Sequence, residues 1–209
     1  MGEDLLNAFV TLFVIIDPIG LVPVFIALTS DLGARDRRTV ATKAVAIAAG
    51  LLLLFALGGH AVLGFLGISF SAFRIAGGLL LLATAFEMVF ERRAERRDQQ
   101  AASAEHHAAR LNEIAVFPLA IPLLAGPGAI TSMILLMGRA EGEPAEQAGV
   151  LGVAAAVLAI TYVLFLLSGP VARLLGKTGV IVTSRVLGVL LAALAVQYVI
   201  DGVKTVLAG

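Results

Sequence analysis

Six stretches of this chain are long, apolar and nearly free of charge: roughly 5–28, 40–63, 70–90, 114–137, 148–168 and 181–203. Each supplies the ~20 residues a helix needs to cross the hydrocarbon core of a bilayer. A soluble fold of 209 residues cannot hide that much apolar surface. Composition agrees: 59% of residues are hydrophobic and 14% charged, against about 25% charged in soluble domains. Segments this long, rich in Leu, Ala and Val, point to helices rather than to barrel strands of about 10 alternating residues. A helix also satisfies its own backbone groups in lipid. The expected fold class is an all-α membrane protein with six transmembrane helices.

The basic residues orient these helices. Arg35, Arg37, Arg38 and Lys43 fall on one side, with Arg92, Arg93, Arg96, Arg97 and Arg110, and with Arg173, Lys177 and Arg185. Arg74, Arg139 and Lys204 fall on the other. The positive-inside rule then places both termini on the non-cytoplasmic side of the cytoplasmic (inner) membrane. The start, Met1-Gly2-Glu3-Asp4, lacks the basic region of a signal peptide, so the first apolar segment is expected to remain as a helix. The chain has no cysteine, which excludes disulfides and thiolate metal sites. Its net charge is zero, so no nucleic acid partner is expected. The charge run from Glu91 to Asp98, and His106-His107 after it, reads as a solvated connector rather than a nucleic-acid or metal site.

Compared with itself, the chain repeats. At an offset of 109, Asp17-Pro18 meets Gly126-Pro127, Leu12 meets Ile121, Val14 meets Leu123, and Leu66-Gly67 meets Leu175-Gly176. At 111, Arg74-Ile75-Ala76-Gly77 meets Arg185-Val186-Leu187-Gly188. The expected organisation is a three-helix repeat over 1–90, a charged cytoplasmic connector over 91–113, and a second three-helix repeat over 114–209. Three is odd, so the second half enters the membrane from the opposite side. Such inverted-topology repeats are the plan of many secondary transporters.

Asp17 lies 12 residues after Leu5 and 11 before Leu28; Gly126 lies 12 after Ile114 and 11 before Met137. Helices one and four are therefore expected to be broken near the bilayer midplane, where paired interruptions mark a substrate site. Asp followed by Pro fits an N-cap and first helical position, because that proline has no N–H to lose. Gly126-Pro127 has the same form with no side chain on the cap. Asp17 thus favours a cation, whereas the open N–H groups of Gly128, Ala129 and Ile130 favour an anion. The two together suit a small zwitterion such as an amino acid. Gly20, Gly126, Gly128 and Ala129 leave room for backbone approach, and Thr131 and Ser132 offer hydroxyls one turn on. A structural N-cap is the alternative for Asp17, and back-bonding to their own helix is the alternative for Thr131 and Ser132.

Other polar residues carry paired readings. Arg74 and Arg185 open helices three and six at equivalent positions, where interface snorkelling competes with a gate or ion pair. Glu87 sits near the cytoplasmic end of helix three, at the interface or on a coupling-ion route. No His- or Cys-based catalytic set falls at the midplane, so no enzyme activity is expected.

Ile16-Asp17-Pro18-Ile19-Gly20-Leu21-Val22-Pro23-Val24-Phe25 and the run from Phe117 to Thr131, FPLAIPLLAGPGAIT, resemble the MarC family of bacterial and archaeal inner-membrane proteins. So does Phe73-Arg74-Ile75-Ala76-Gly77-Gly78. The resemblance covers essentially the whole chain except the connector. It implies six helices and, by analogy with SnatA-type members, transport of glycine- or alanine-class amino acids driven by a cation gradient. Asp17, Pro18, Gly20, Pro23, Pro122, Gly126, Pro127, Gly128 and Thr131 stand at the motif positions. The expected cofactor is none beyond Na⁺ or H⁺ as coupling ion. A channel, or a non-transporting stress or assembly protein of the same family, is the alternative, and a homo-oligomer is left open.

Overall fold

The computed structural model describes residues 2–90 and 111–208, so most of the connector expected at 91–113 lies outside the described residues. Among the described residues every regular element is helical. Five helical segments are long and apolar enough to span a membrane. A sixth span is formed if Leu111–Leu124 and Pro127–Arg139, which meet at 56°, count as one.

The first span is divided. α1 (Gly2–Ile16) and α2 (Pro18–Leu28) are separated by one residue, Asp17, in the left-handed conformation (φ 53°, ψ 62°). Asp is among the few residues that visit this region, because its short side chain bonds the local backbone. α3 (Ala34–Phe65) ends at Gly67, whose φ of 68° lets Ile68 N–H reach back to the Leu63 carbonyl at 2.9 Å. This 6→1 bond satisfies a helix-end carbonyl. Ser69 then caps α4 (Phe70–Val89) by accepting from Ala72 N–H at 3.2 Å.

The second half opens less regularly. α5 (Leu111–Ile114) runs into α6 (Ala115–Leu124), whose turns are broken at Phe117 (φ −130°, ψ 124°) and Ile121 (φ −127°, ψ 121°). Each precedes a proline, and the proline ring drives the preceding residue out of the helical region. Both X–Pro bonds are cis. The sequence pointed to one interruption in this span, at Gly126; there are three. α7 (Pro127–Arg139) follows, then α8 (Pro144–Leu166) and α9 (Ser168–Ala208). The connection expected between 168 and 181 is largely helical but broken at Gly176 (φ 60°, ψ 178°), so that α9 consists of two helices and the last span runs over Thr178–Leu207.

The helices of one half pack chiefly on those of the other. α3 lies against α6, α7 and α8; α1 and α2 lie against α8 and α9; α4 lies against α7 and, most extensively, α9. Contacts within either half are minor. In the core Phe25 of α2 stacks on Phe165 of α8, with centroids 4.4 Å apart, a geometry contributing about 0.5–1.5 kcal/mol beyond area burial. Leu54, Leu57 and Phe65 of α3 are exposed, as suits faces turned to acyl chains.

α4 and α9 run antiparallel and close. A Cβ on Gly78 would fall 2.8 Å from the Ala195 carbonyl, and one on Gly188 would fall 2.8 Å from Met88 Cβ. Small residues allow the backbone approach that drives helix association in lipid. A Cβ on Gly50, on the exposed face of α3, would meet nothing within 4 Å. Gly78→Val should therefore destabilise the protein by about 1–3 kcal/mol through overpacking. Gly50→Ala should be neutral or stabilising by up to about 1 kcal/mol. Thermal unfolding of both variants in detergent checks the contrast; equal midpoints would refute the close-packing account.

Candidate functional site

The interruption at residue 17 is built from one carboxylate. Asp17 is 1% exposed. Its Oδ1 accepts from Gly20 N–H at 3.1 Å, capping α2, while Pro18 fills the first helical position. Backbone bonds continue across it: Asp17 N–H reaches the Phe13 carbonyl at 2.9 Å, and Leu21 N–H reaches the Asp17 carbonyl at 3.1 Å. Oδ2 accepts from Ser184 Oγ of α9 at 3.4 Å. Ser184 carried no signal in the sequence; only the packing of α9 against α2 brings it to the carboxylate. An ionised carboxylate can accept about four hydrogen bonds, more than the cap alone uses.

The interruption at Gly126 is bare, and the reason is steric. Gly126 takes an extended conformation (φ −77°, ψ 171°) with no side-chain cap. A Cβ there would collide with the Pro122 carbonyl oxygen, a backbone atom that cannot step aside. The approach of the Pro122 carbonyl therefore excludes a capping side chain. Ile130 N–H is satisfied by the Gly126 carbonyl at 3.0 Å, which removes it from the three open donors expected from sequence. Gly128 and Ala129 N–H take no backbone acceptor among the described residues.

The two interruptions adjoin through α1 and α7. A Cβ on Gly128 would lie 3.3 Å from Ile15 Cγ2, two residues before Asp17. Ala129, Thr131 and Ser132 are buried, and Pro127 is exposed. Ser132 is fully buried with its hydroxyl unpartnered, so the back-bonding alternative does not hold for it. An unsatisfied buried hydroxyl costs about 1–3 kcal/mol. Thr131 packs its methyl against Gly77 of α4.

The remaining candidates lie apart. Arg74 places its guanidinium 5.0 Å from the Phe70 ring centroid, and its Nε is buried without a hydrogen-bond partner. Arg185 is exposed, one residue beyond Ser184, and Glu87 is half-buried three residues before Phe90. Among the described residues no group of three His, Cys, Asp or Glu could hold a metal ion.

Apolar spans, small-residue packing and irregular backbone kept beside a buried carboxylate define an integral, multi-pass helical membrane protein. The MarC family integral membrane protein model matches residues 3–207, and the chain belongs to that family. A UPF0056 membrane protein of Methanocaldococcus jannaschii is 40% identical over 201 residues, covering 94% of each chain. The UPF0056 membrane protein YvbG of Bacillus subtilis is 33% identical over 98% of this chain and 96% of its own. The UPF0056 membrane protein YhcE of Escherichia coli is 34% identical over 96% and 92%. No solved structure matches the chain.

Asp17 combines a cap with a left-handed backbone, and substitutions separate the two. Asp17→Asn keeps both and should unfold near the wild-type midpoint. Asp17→Ala loses both, at about 2 kcal/mol, with Asp17→Gly between them. Thermal unfolding in detergent measures the order; an alanine variant as stable as the asparagine one would remove the capping role.

Proposed function

We propose that this protein is a secondary transporter of small neutral amino acids, of the glycine and alanine class, across the cytoplasmic membrane. The observation that carries this reading is the unequal capping of two adjoining helix starts. α2 begins under a buried carboxylate; α7 begins under none, and Ser132, five residues after Pro127, is buried with its hydroxyl unpartnered. Asp17 would take the substrate ammonium, a coupling Na⁺ or a proton. The Gly128 and Ala129 N–H groups, at the positive end of the α7 dipole, would take the carboxylate. Pro18, Gly20, Gly126 and Pro127 set the backbone path that makes both ends available. Gly128 is walled by Ile15 and Leu81, so a substrate seated there would carry only a small side chain.

The packing supports an inverted repeat as the frame. Exchanging the halves maps α1 and α2 against α8 onto α6 and α7 against α3, and α2 against α9 onto α7 against α4. Such a two-fold relation in the membrane plane is what alternating access uses. Because each half packs on the other, the group that moves combines elements of both rather than one repeat as a body. In this reading both termini face away from the cytoplasm, and Arg74 and Arg185 close the two mouths.

Purified protein in liposomes loaded with alanine or glycine should accelerate counterflow of labelled alanine, with accumulation following an imposed Na⁺ or pH gradient. Asp17→Asn should insert normally, exchange poorly and lose ion-driven accumulation. Leak without counterflow would make the protein a channel, and wild-type coupling in Asp17→Asn would reduce Asp17 to a structural cap.

A further inference from the structure

Where α1 and α8 begin and α7 and α9 end, the bundle holds a cavity of about 280 Å³ that the Asp17–Gly126 site does not use. Its charged wall is an ion pair: Arg139 Nη2 lies 3.4 Å from Asp201 Oδ2. Gln197 Nε2 donates to Asp201 Oδ1 at 2.7 Å and fixes that carboxylate. The Arg139 guanidinium sits 4.6 Å above the Tyr198 ring centroid, and Tyr198, 1% exposed, makes a rigid platform. Leu5, Leu136, Val150 and Leu194 give it an apolar side, and Asp4 and Glu146 add two further carboxylates to the lining, so Arg139 is the cation among three acids there.

This pair is not a sealed structural bridge. Arg139 and Asp201 keep 39% and 31% of their side-chain surface exposed. They touch through one nitrogen, beyond the ~2.7–2.9 Å of a tight charge-assisted bond. Arginine presents five donors in a planar fork that matches a carboxylate. A ligand carboxylate can seat on that fork while its ammonium lies against Asp201. A second cavity, of about 300 Å³, shares Asn7, Thr11, Leu194 and Gln197 with the first and runs along α1 to Val14. Val14 is within one helical turn of Asp17.

We propose that the Arg139–Asp201 cavity is an outer binding subsite for a small zwitterionic amino acid, distinct from the buried site and preceding it on the path from the non-cytoplasmic face. The ligand class rests on the transport reading above. Arg139 binds the carboxylate, Asp201 the ammonium, and the apolar wall favours short side chains.

Scintillation-proximity binding of labelled alanine to the purified full chain in nanodiscs tests the subsite. Asp17→Asn should retain a saturable component that Arg139→Gln, added to it, removes. In transport, Arg139→Gln alone should raise KM about tenfold or more with kcat unchanged. Arg139→Lys keeps the charge without the planar fork and gives the same comparison should the glutamine variant not fold. The subsite is overturned if wild type binds no alanine, if Asp17→Asn abolishes all binding, or if binding by Asp17→Asn is indifferent to Arg139. Arg139-dependent binding in a protein without counterflow would support the subsite while sinking the transport reading.

Discussion

A polypeptide in lipid cannot leave its N–H and C=O groups unmet, and the irregular stretches of this bundle are answers to that constraint. At Asp17 the helix stops for a single residue, and the residue itself supplies the missing acceptor while the backbone bonds on either side continue. After α6 the answer is a wider turn, with Ala125 N–H reaching the Ala120 carbonyl at 2.9 Å. At the start of α7 the Gly128 and Ala129 donors take no backbone acceptor among the described residues, and there a side-chain cap is excluded by the Pro122 carbonyl. The chemistry of the proposed site follows from which of these interruptions is self-satisfied and which is not.

The packing of the halves adds a second layer. α4 and α9 approach through Gly78, Ala195 and Gly188, an interface with almost no side-chain bulk. α1 lies between α8 and α9, and its antiparallel path along α9 aligns Asn7 with Gln197, Val14 with Leu191, and Asp17 with Ser184. The charged cavity at the helix ends and the cavity beside it share Asn7, Thr11, Leu194 and Gln197, and the second reaches Val14, three residues short of Asp17. The ion pair at Arg139 is partly solvated, whereas the acid at Asp17 is buried.

Much of this was legible in the residues. Apolar length gave the spans, and Asp-Pro and Gly-Pro marked the starts of α2 and α7, because proline without an N–H suits a helix start. Three features were not legible. The stretch 169–180 reads as a connection because it holds Gly169-Pro170, Arg173 and Lys177, and the chain does break there at Gly176 before the last span begins at Thr178, but the helical turns from Ser168 up to that break were not legible. The extended residues Phe117 and Ile121 follow from the prolines after them, but a uniformly apolar run conceals the breaks. Ser184 and the Arg139–Asp201 pair depend on tertiary contacts between residues 167 and 62 positions apart, which no local pattern encodes.

The dependence of each half on the other has a consequence for how the molecule is made. Spans leave the ribosome in order, and the first three find little among themselves to hold them together. α4 in particular must wait in the bilayer until its main partner, α9, the last helix of the chain, has been inserted. Assembly is therefore post-translational in character even if insertion is not. A nascent chain halted after α8 could pack α1, α2 and α3 on the helices of the second half and would still leave α4 without its main partner.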